Sequence, residues 1–129
     1  MIVMIRYAFK ANEKKSAKAY GLALRISRKN STIVCRAINR RSLENGKKFL
    51  QDLINKKRSI DGKYYTKTAT EILKIVESAE KNAEFKGLDT SKLIIHASAH
   101  KGFTFIRPRN LKRSGEKRKI SNIQIVLST

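Results

Sequence analysis

Residues 92–128 read KLIIHASAHKGFTFIRPRNLKRSGEKRKISNIQIVLS. Leu93, Ile95, Ala97 and Ala99 alternate along the first eight positions. Ile123, Ile125 and Leu127 alternate in the last eight. Period two over such runs is the mark of a half-buried strand. Between them lies HKGFTFIRPRNLKRSGEKRKI, residues 100–120, which holds eight Lys or Arg, one acid (Glu116) and the chain's single proline, Pro108. Two strands joined this way pair as a hairpin. The cationic stretch must then be a continuation of that hairpin beyond the body of the protein, with its turn near residues 110–115. Ten residues per arm at about 3.3 Å each reach on the order of 33 Å. An isolated two-stranded ribbon is marginal in water, and eight like charges repel along it. The ribbon is therefore expected to be mobile alone and ordered on a partner.

Working outward, residues 17–26 (AKAYGLALRI) form a third alternating run, with Tyr20, Leu22, Leu24 and Ile26 on one face. Ser27 is placed to cap a helix through about Asn39, whose apolar face is Ile33, Val34, Ala37 and Ile38, with Arg36 and Arg40 sharing another. Ser42 caps a second helix with Leu43, Phe49, Leu50, Leu53 and Ile54 inward. Gly46 costs about 1 kcal/mol there relative to Ala, which points to close helix packing. Asp61-Gly62 marks a turn. A third helix runs from about Lys67 to Phe85 on Ala69, Ile72, Leu73, Val76, Ala79 and Ala83, and KGLD at 86–89 supplies a glycine stop. No βαβ alternation is present. The fold class expected is α+β: a small three-stranded antiparallel sheet with about three helices packed on one face and a long protruding β-hairpin, as one domain over residues 1–129.

Charge narrows the function. The 129 residues carry 30 basic and 10 acidic side chains, a net of +20. Residues 44–89 hold ten basic and eight acidic residues, so nearly all of the excess lies in 1–43 and 90–129. A field of that sign favours a polyanion, and phosphate is the natural counter-charge. No apolar run approaches the ~20 residues of a membrane span. MIVMI, followed at once by Arg6, is too short for a signal peptide. A membrane partner is not expected. The lone Cys35 rules out an internal disulfide, fits a reducing compartment and is expected as a small buried residue.

Enzyme chemistry finds no support. His96 and His100 would stand about 13 Å apart along a strand at ~3.3 Å per residue, too far to share one metal, so packing or RNA contact is expected of them. NGKK at 45–48 lacks the glycine and spacing of a P-loop. Glu71, Glu77, Glu80 and Glu84 alternate with Lys74 and Lys81, a solvated face with Glu77–Lys81 as an i,i+4 pair. No cofactor, metal or small-molecule substrate is expected. Phe103 and Phe105 lie two apart on one side of a strand; they either stack on nucleotide bases or pack across the ribbon or against the domain. Lys101, Arg107, Arg109, Lys112, Arg113, Lys117, Arg118 and Lys119 read as phosphate contacts.

These residues carry a resemblance. AKAYGLALRIS, NAEFKGLD at 82–89, HASAHKG at 96–102, RPR at 107–109 and NIQIVLS together resemble the ribosomal protein L twenty-two family (eukaryotic L seventeen), in its archaeal and eukaryotic branch, over about residues 8–127. The resemblance implies a structural protein of the large subunit that binds ribosomal RNA and neighbouring ribosomal proteins in the cytoplasm. It implies that Lys18, Arg25, Arg28 and Lys29 meet RNA on the globular part. It also implies that Arg107, Pro108, Arg109, Asn110, Leu111 and Lys112 form a tip lining the nascent-peptide exit tunnel. Three departures stand out: arms a residue or two shorter than the family's, Lys112 where a tip glycine is usual, and no long insertion around 58–65. The competing reading is a basic DNA-packaging protein that uses the hairpin as a groove-binding arm.

Overall fold

A computed structural model describes residues 6–110 and 112–129. Strand β1 spans Ser16–Leu24. Helices α1 (Arg28–Ile38), α2 (Leu43–Ile54) and α3 (Thr66–Phe85) follow, then β2 (Ile94–Ile106) and β3 (Lys117–Ser128). The sheet is antiparallel in the order β1-β3-β2, so β3 is its centre. The α+β class, the three helices and the three strands match the expectation.

The caps act as their residue types require. Ser27 and Ser42 accept hydrogen bonds from the Asn30 and Asn45 amides, satisfying donors left open in the first turns of α1 and α2. At the end of α3, Gly87 takes φ 74°. Its amide donates to the Glu84 carbonyl and that of Leu88 to Ala83, the paired bonds of a Schellman stop. Asp61 and Gly62, both at positive φ, close a tight turn in which Ile60 and Lys63 exchange amide bonds.

One face of the sheet is packed under the helices. Ile123, Ile125 and Leu127 of β3, with Leu93 and Ile95 where β2 begins, are fully buried against Val34, Ile38, Leu50, Leu53, Ile72 and Val76. Each such aliphatic side chain contributes about 1.5–3 kcal/mol. Cys35 lies in this layer, and burial pushes its thiol up to about 12, which leaves it an inert core residue. The buried stripe of α1 is Ser31, Val34, Cys35 and Ile38, with Ile33 and Ala37 at its margin. Arg40 is not on that helix: it lies beyond the end in the left-handed region, its amide donating to the Ile95 carbonyl.

Strand β1 has the opposite phase from the one expected. Its inward residues are Ala17, Ala19 and Gly21, while Leu22 is 68% exposed. Helix α3 lies close on β1: Asn82 donates to the Lys18 carbonyl and Lys86 to that of Ser16. A Cβ on Gly21 would collide with Ile75 of α3. Small residues win the inner face because the helix leaves room for nothing larger. A bulge between Gly21 and Leu24, with Ala23 at φ 58°, then restores Leu24 and Ile26 to the core side. Gly46 likewise answers to the sheet: a Cβ there would strike Ile95 of β2, not another helix.

The second face of the sheet is crossed by residues 6–9. Gln124 donates to the Arg6 carbonyl and accepts from the Ala8 amide. Phe9 stacks on His96 at 3.6 Å and 9°, and Tyr7 meets Tyr20 edge-on.

Candidate nucleic-acid interface

The hairpin leaves the sheet where β1 ends. Leu24 pairs with Ser121, and beyond that point only β2 and β3 face each other, through Thr104–Lys119, Phe105–Arg118 and Ile106–Lys117. The exit is marked by a bulge between Lys101 and Thr104. The free ladder on the β2 side is therefore residues 102–106, about 16 Å at 3.3 Å per residue. The paired part is thus about half of the ten-residue arm expected, and the rest of each arm belongs to the loop. Pro108 has no N–H to continue the ladder, so the chain turns into a loop over residues 107–116. Arg107 N–H donates to the Glu116 carbonyl and the Arg107 carbonyl accepts from Gly115, which closes the loop base. Arg113 and Gly115 adopt positive φ within it.

Glu116, the one acid of the ribbon, sits between two of the expected phosphate contacts. It is 3.8 Å from Arg107 and 3.7 Å from Arg118. Arg107 also donates to the Lys112 carbonyl. These two guanidinium groups thus help to hold the loop. Arg109, Lys112, Arg113, Lys117 and Lys119 are exposed, as is Lys101 at the ribbon's root. Asn110 and Pro108 are exposed beside them; Leu111 lies outside the described residues.

The ribbon and the globular domain together form a groove of about 530 Å³. Arg25, Ile26 and Ser27 line it from the β1–α1 corner, Lys67 from the start of α3, and Phe105, Arg107, Pro108, Arg118 and Lys119 from the ribbon. The corner is pinned to the sheet by Ser121, whose buried hydroxyl donates to the Ile26 carbonyl. No acid is among those nine residues. Two helix starts meet there, and neither α1 nor α3 has an acid in its first turn. Arg28 and Lys29 occupy the first turn of α1 instead, exposed. A cation at the positive end of a helix is unfavourable by a few tenths of a kcal/mol unless an anion is present.

The structure therefore brings Arg25 together with Arg107, Arg118 and Lys119, with Arg28 and Lys29 on the adjoining turn. Lys18 stands apart. It is half-buried on β1, its ammonium 5.1 Å from the Tyr7 ring, in a shallow depression with Glu13, Asn82, Phe85 and Lys86. His96 and His100 are engaged with neighbours: His96 Nε2 lies 3.1 Å from Ser128 Oγ, and His100 Nε2 lies 3.0 Å from Ser98 Oγ. Burial, and then the charge of Arg40, holds the His96 ring below its usual range.

Two features lie outside the sites expected from the sequence. Lys67 belongs to the groove but sits in the charge-balanced middle of the chain. A second cationic depression gathers Arg40, Arg41, Lys48 and Arg58 around Phe49, with Asp52 as the acid in its lining. The guanidinium carbons of Arg41 and Arg58 lie 4.7 and 5.7 Å from the Phe49 ring centre. Stacking of this kind fixes the planes of Arg side chains and leaves N–H donors facing outward. The dense NRRS (39–42) and NKKR (55–58) segments are the signal that would have found it.

Comparison with known proteins points one way. The family model described as Ribosomal protein L22p/L17e matches residues 19–128. The chain is 36% identical to the large ribosomal subunit protein uL22 of Methanocaldococcus jannaschii, with 98% of this chain and 97% of that protein covered. It is 38% identical to the protein of the same name from Methanococcus vannielii, covering 94% of each. It is 37% identical to that of Archaeoglobus fulgidus, covering 76% and 77%.

Proposed function

The chain belongs to the ribosomal protein L22p/L17e family and is a structural constituent of the large ribosomal subunit, and we propose that it is held there by ribosomal RNA bound along one cationic surface. That surface runs from Arg25, Arg28 and Lys29 across the groove to Lys101, Arg107, Arg118 and Lys119, and on to Arg109, Lys112, Arg113 and Lys117 on the loop. Lys18 contributes from the β1 edge. The observation that carries the reading is the convergence of two acid-free helix starts and the ribbon on one groove without a lining carboxylate. Like charges gathered that way are at their most favourable against phosphate.

The tip assigned from the family resemblance is Arg107, Pro108, Arg109, Asn110, Leu111 and Lys112, beyond the paired part of the ribbon. It lines the exit tunnel and meets the nascent peptide. Neighbouring ribosomal proteins contact the remaining surface. The family is structural rather than enzymatic, and its work is subunit assembly and translation in the cytoplasm. No helix among the described residues is long and apolar enough to cross a membrane. Family membership favours this reading over a DNA-packaging arm.

The test is incorporation. Arg109→Glu with Lys112→Glu, two exposed side chains outside the Glu116 ion pairs, should lower the share of protein recovered with salt-washed large subunits by roughly ten-fold or more, with a melting temperature within about 2 °C of wild type, since surface charge changes away from packing cost little. With about 6–10 phosphate contacts, affinity for a large-subunit RNA fragment should fall about a thousand-fold or more between 50 and 200 mM salt. Equal affinity for RNA and duplex DNA at fixed salt, with no recovery on subunits, is the result that would overturn it.

A further inference from the structure

We propose that the groove at the ribbon root is a seat for one unstacked nucleotide of RNA, its base lying on Phe105 and its phosphate held by Arg25, Lys67 and Lys119. The proposal rests on the reading that the chain binds ribosomal RNA and names what that RNA presents. The groove has two chemically distinct parts. Its floor is apolar: Ile26, 5% exposed, with Phe105 and Pro108. Its rim is Arg25, Lys67, Arg107, Arg118 and Lys119. A volume of about 530 Å³ falls within the roughly 300–1,000 Å³ typical of sites for small organic ligands, which is the size class of a nucleotide.

The two parts together select the occupant. A regular RNA duplex shows phosphates and sugars on a convex surface and keeps its base faces stacked inside. It satisfies the rim and leaves the floor wet. A nucleotide out of the stack carries both a flat apolar face and an anion. Phe105 is 36% exposed, and no ring pairs with it among the described aromatic residues. It sits directly across the ladder from Arg118, so ring and guanidinium share one side of the ribbon. Arg107 and Arg118 are shared with Glu116; Arg25, Lys67 and Lys119 are the rim cations left to the phosphate. Apart from the capping hydroxyl of Ser27, the lining offers no neutral polar side chain to read a base edge. Recognition is therefore by stacking and charge, tolerant of base identity.

The experiment uses the full chain and two synthetic RNA hairpins that differ only in one bulged 2-aminopurine nucleotide. Wild-type protein should bind the bulged hairpin roughly ten-fold or more tightly than the perfect one, the scale of one base stacked on an aromatic ring, with a change in 2-aminopurine fluorescence on binding. Phe105→Ala should erase that preference, so that the two hairpins bind alike; Phe105→Tyr should restore it. Arg25→Gln should weaken both RNAs. Equal wild-type affinity for the two hairpins overturns the proposal while the RNA-binding reading stands, and so does a Phe105→Ala variant that keeps the preference. A wild-type protein that binds neither RNA at low salt overturns both.

Discussion

Replacing Gly102 by alanine should loosen the root of the ribbon. Gly102 lies in the bulge where β2 and β3 leave the three-stranded sheet. A Cβ there would stand 2.8 Å from the Ile120 carbonyl oxygen, 3.0 Å from its carbon and 3.1 Å from Ile120 Cγ2. Two of those three atoms are backbone, so no rotamer change relieves the contact. Ile120 is itself buried, one residue from the Ser121 that pins the β1–α1 corner. The strands must separate by a few tenths of an ångström or the bulge must rearrange. Overpacking of this kind costs about 1–3 kcal/mol. At roughly 2.1 cal/mol/K of unfolding entropy per residue, over 129 residues, each kcal/mol is worth about 4 °C. Thermal unfolding followed by circular dichroism should thus show a melting temperature lower by roughly 4–12 °C. Gly62→Ala is the comparison: nothing lies within 4 Å of its added Cβ, and only its positive φ resists substitution, so the loss should be about 1 kcal/mol. A Gly102→Ala protein that melts within 1 °C of wild type would refute the close-approach argument.

Three further outcomes follow from the charges. Glu116→Gln should lower the melting temperature by a few degrees at most, since partly exposed ion pairs contribute about 0.2–1 kcal/mol each, yet it should tighten RNA binding at 50 mM salt by freeing Arg107 and Arg118; weaker binding measured by filter retention would contradict this. Arg41→Gln with Arg58→Gln should reduce the slope of log affinity against log salt by about 0.7–0.9 for each phosphate no longer neutralised; an unchanged slope would show that the Phe49 depression faces no RNA. His96 is held below its usual pKa, first by burial and then by Arg40. Well above pH 6.5 the ring is neutral folded and unfolded and contributes no pH dependence; as pH falls through that value the unfolded chain takes up the proton first, so stability drains until pH passes the lowered folded value. Chemical denaturation at pH 7 and pH 5 should show His96→Gln losing less stability than wild type, and equal losses would contradict the assignment.

Much of the architecture is legible where large apolar residues mark the core. Leu93 and Ile95, and Ile123, Ile125 and Leu127, alternate in the sequence and are fully buried in the structure. Ser27, Ser42 and Gly87 begin or end helices by the hydrogen bonds their types favour. Pattern fails as a guide where volume outranks hydrophobicity. On β1 periodicity turns the larger residues inward, but α3 sits so near that Ala17, Ala19 and Gly21 take the face. The two bulges are also hidden, because nothing in the local pattern announces an extra residue in a ladder. The paired ladder is shorter than the expected arm because Pro108, with no N–H, ends the regular pairing on the β2 side. The cationic character of the site is plain from composition. Its shape is not, because residues 25–27, 67, 105, 107, 108, 118 and 119 meet only through the tertiary fold.

The strand in the middle of the sheet is the one made after both of its neighbours. Ser16 finds its partner in Ser128, more than a hundred residues later. During synthesis the three helices emerge before any sheet exists to receive their apolar sides, and β1 has nothing to pair with until residues 117–128 are free of the machinery producing them. Assembly of this topology is slow, since distant segments must meet before they reward one another. A nascent form of this chain is therefore a basic, half-collapsed polymer with open strand edges, and early capture by an anionic scaffold would shorten the time it spends exposed to aggregation.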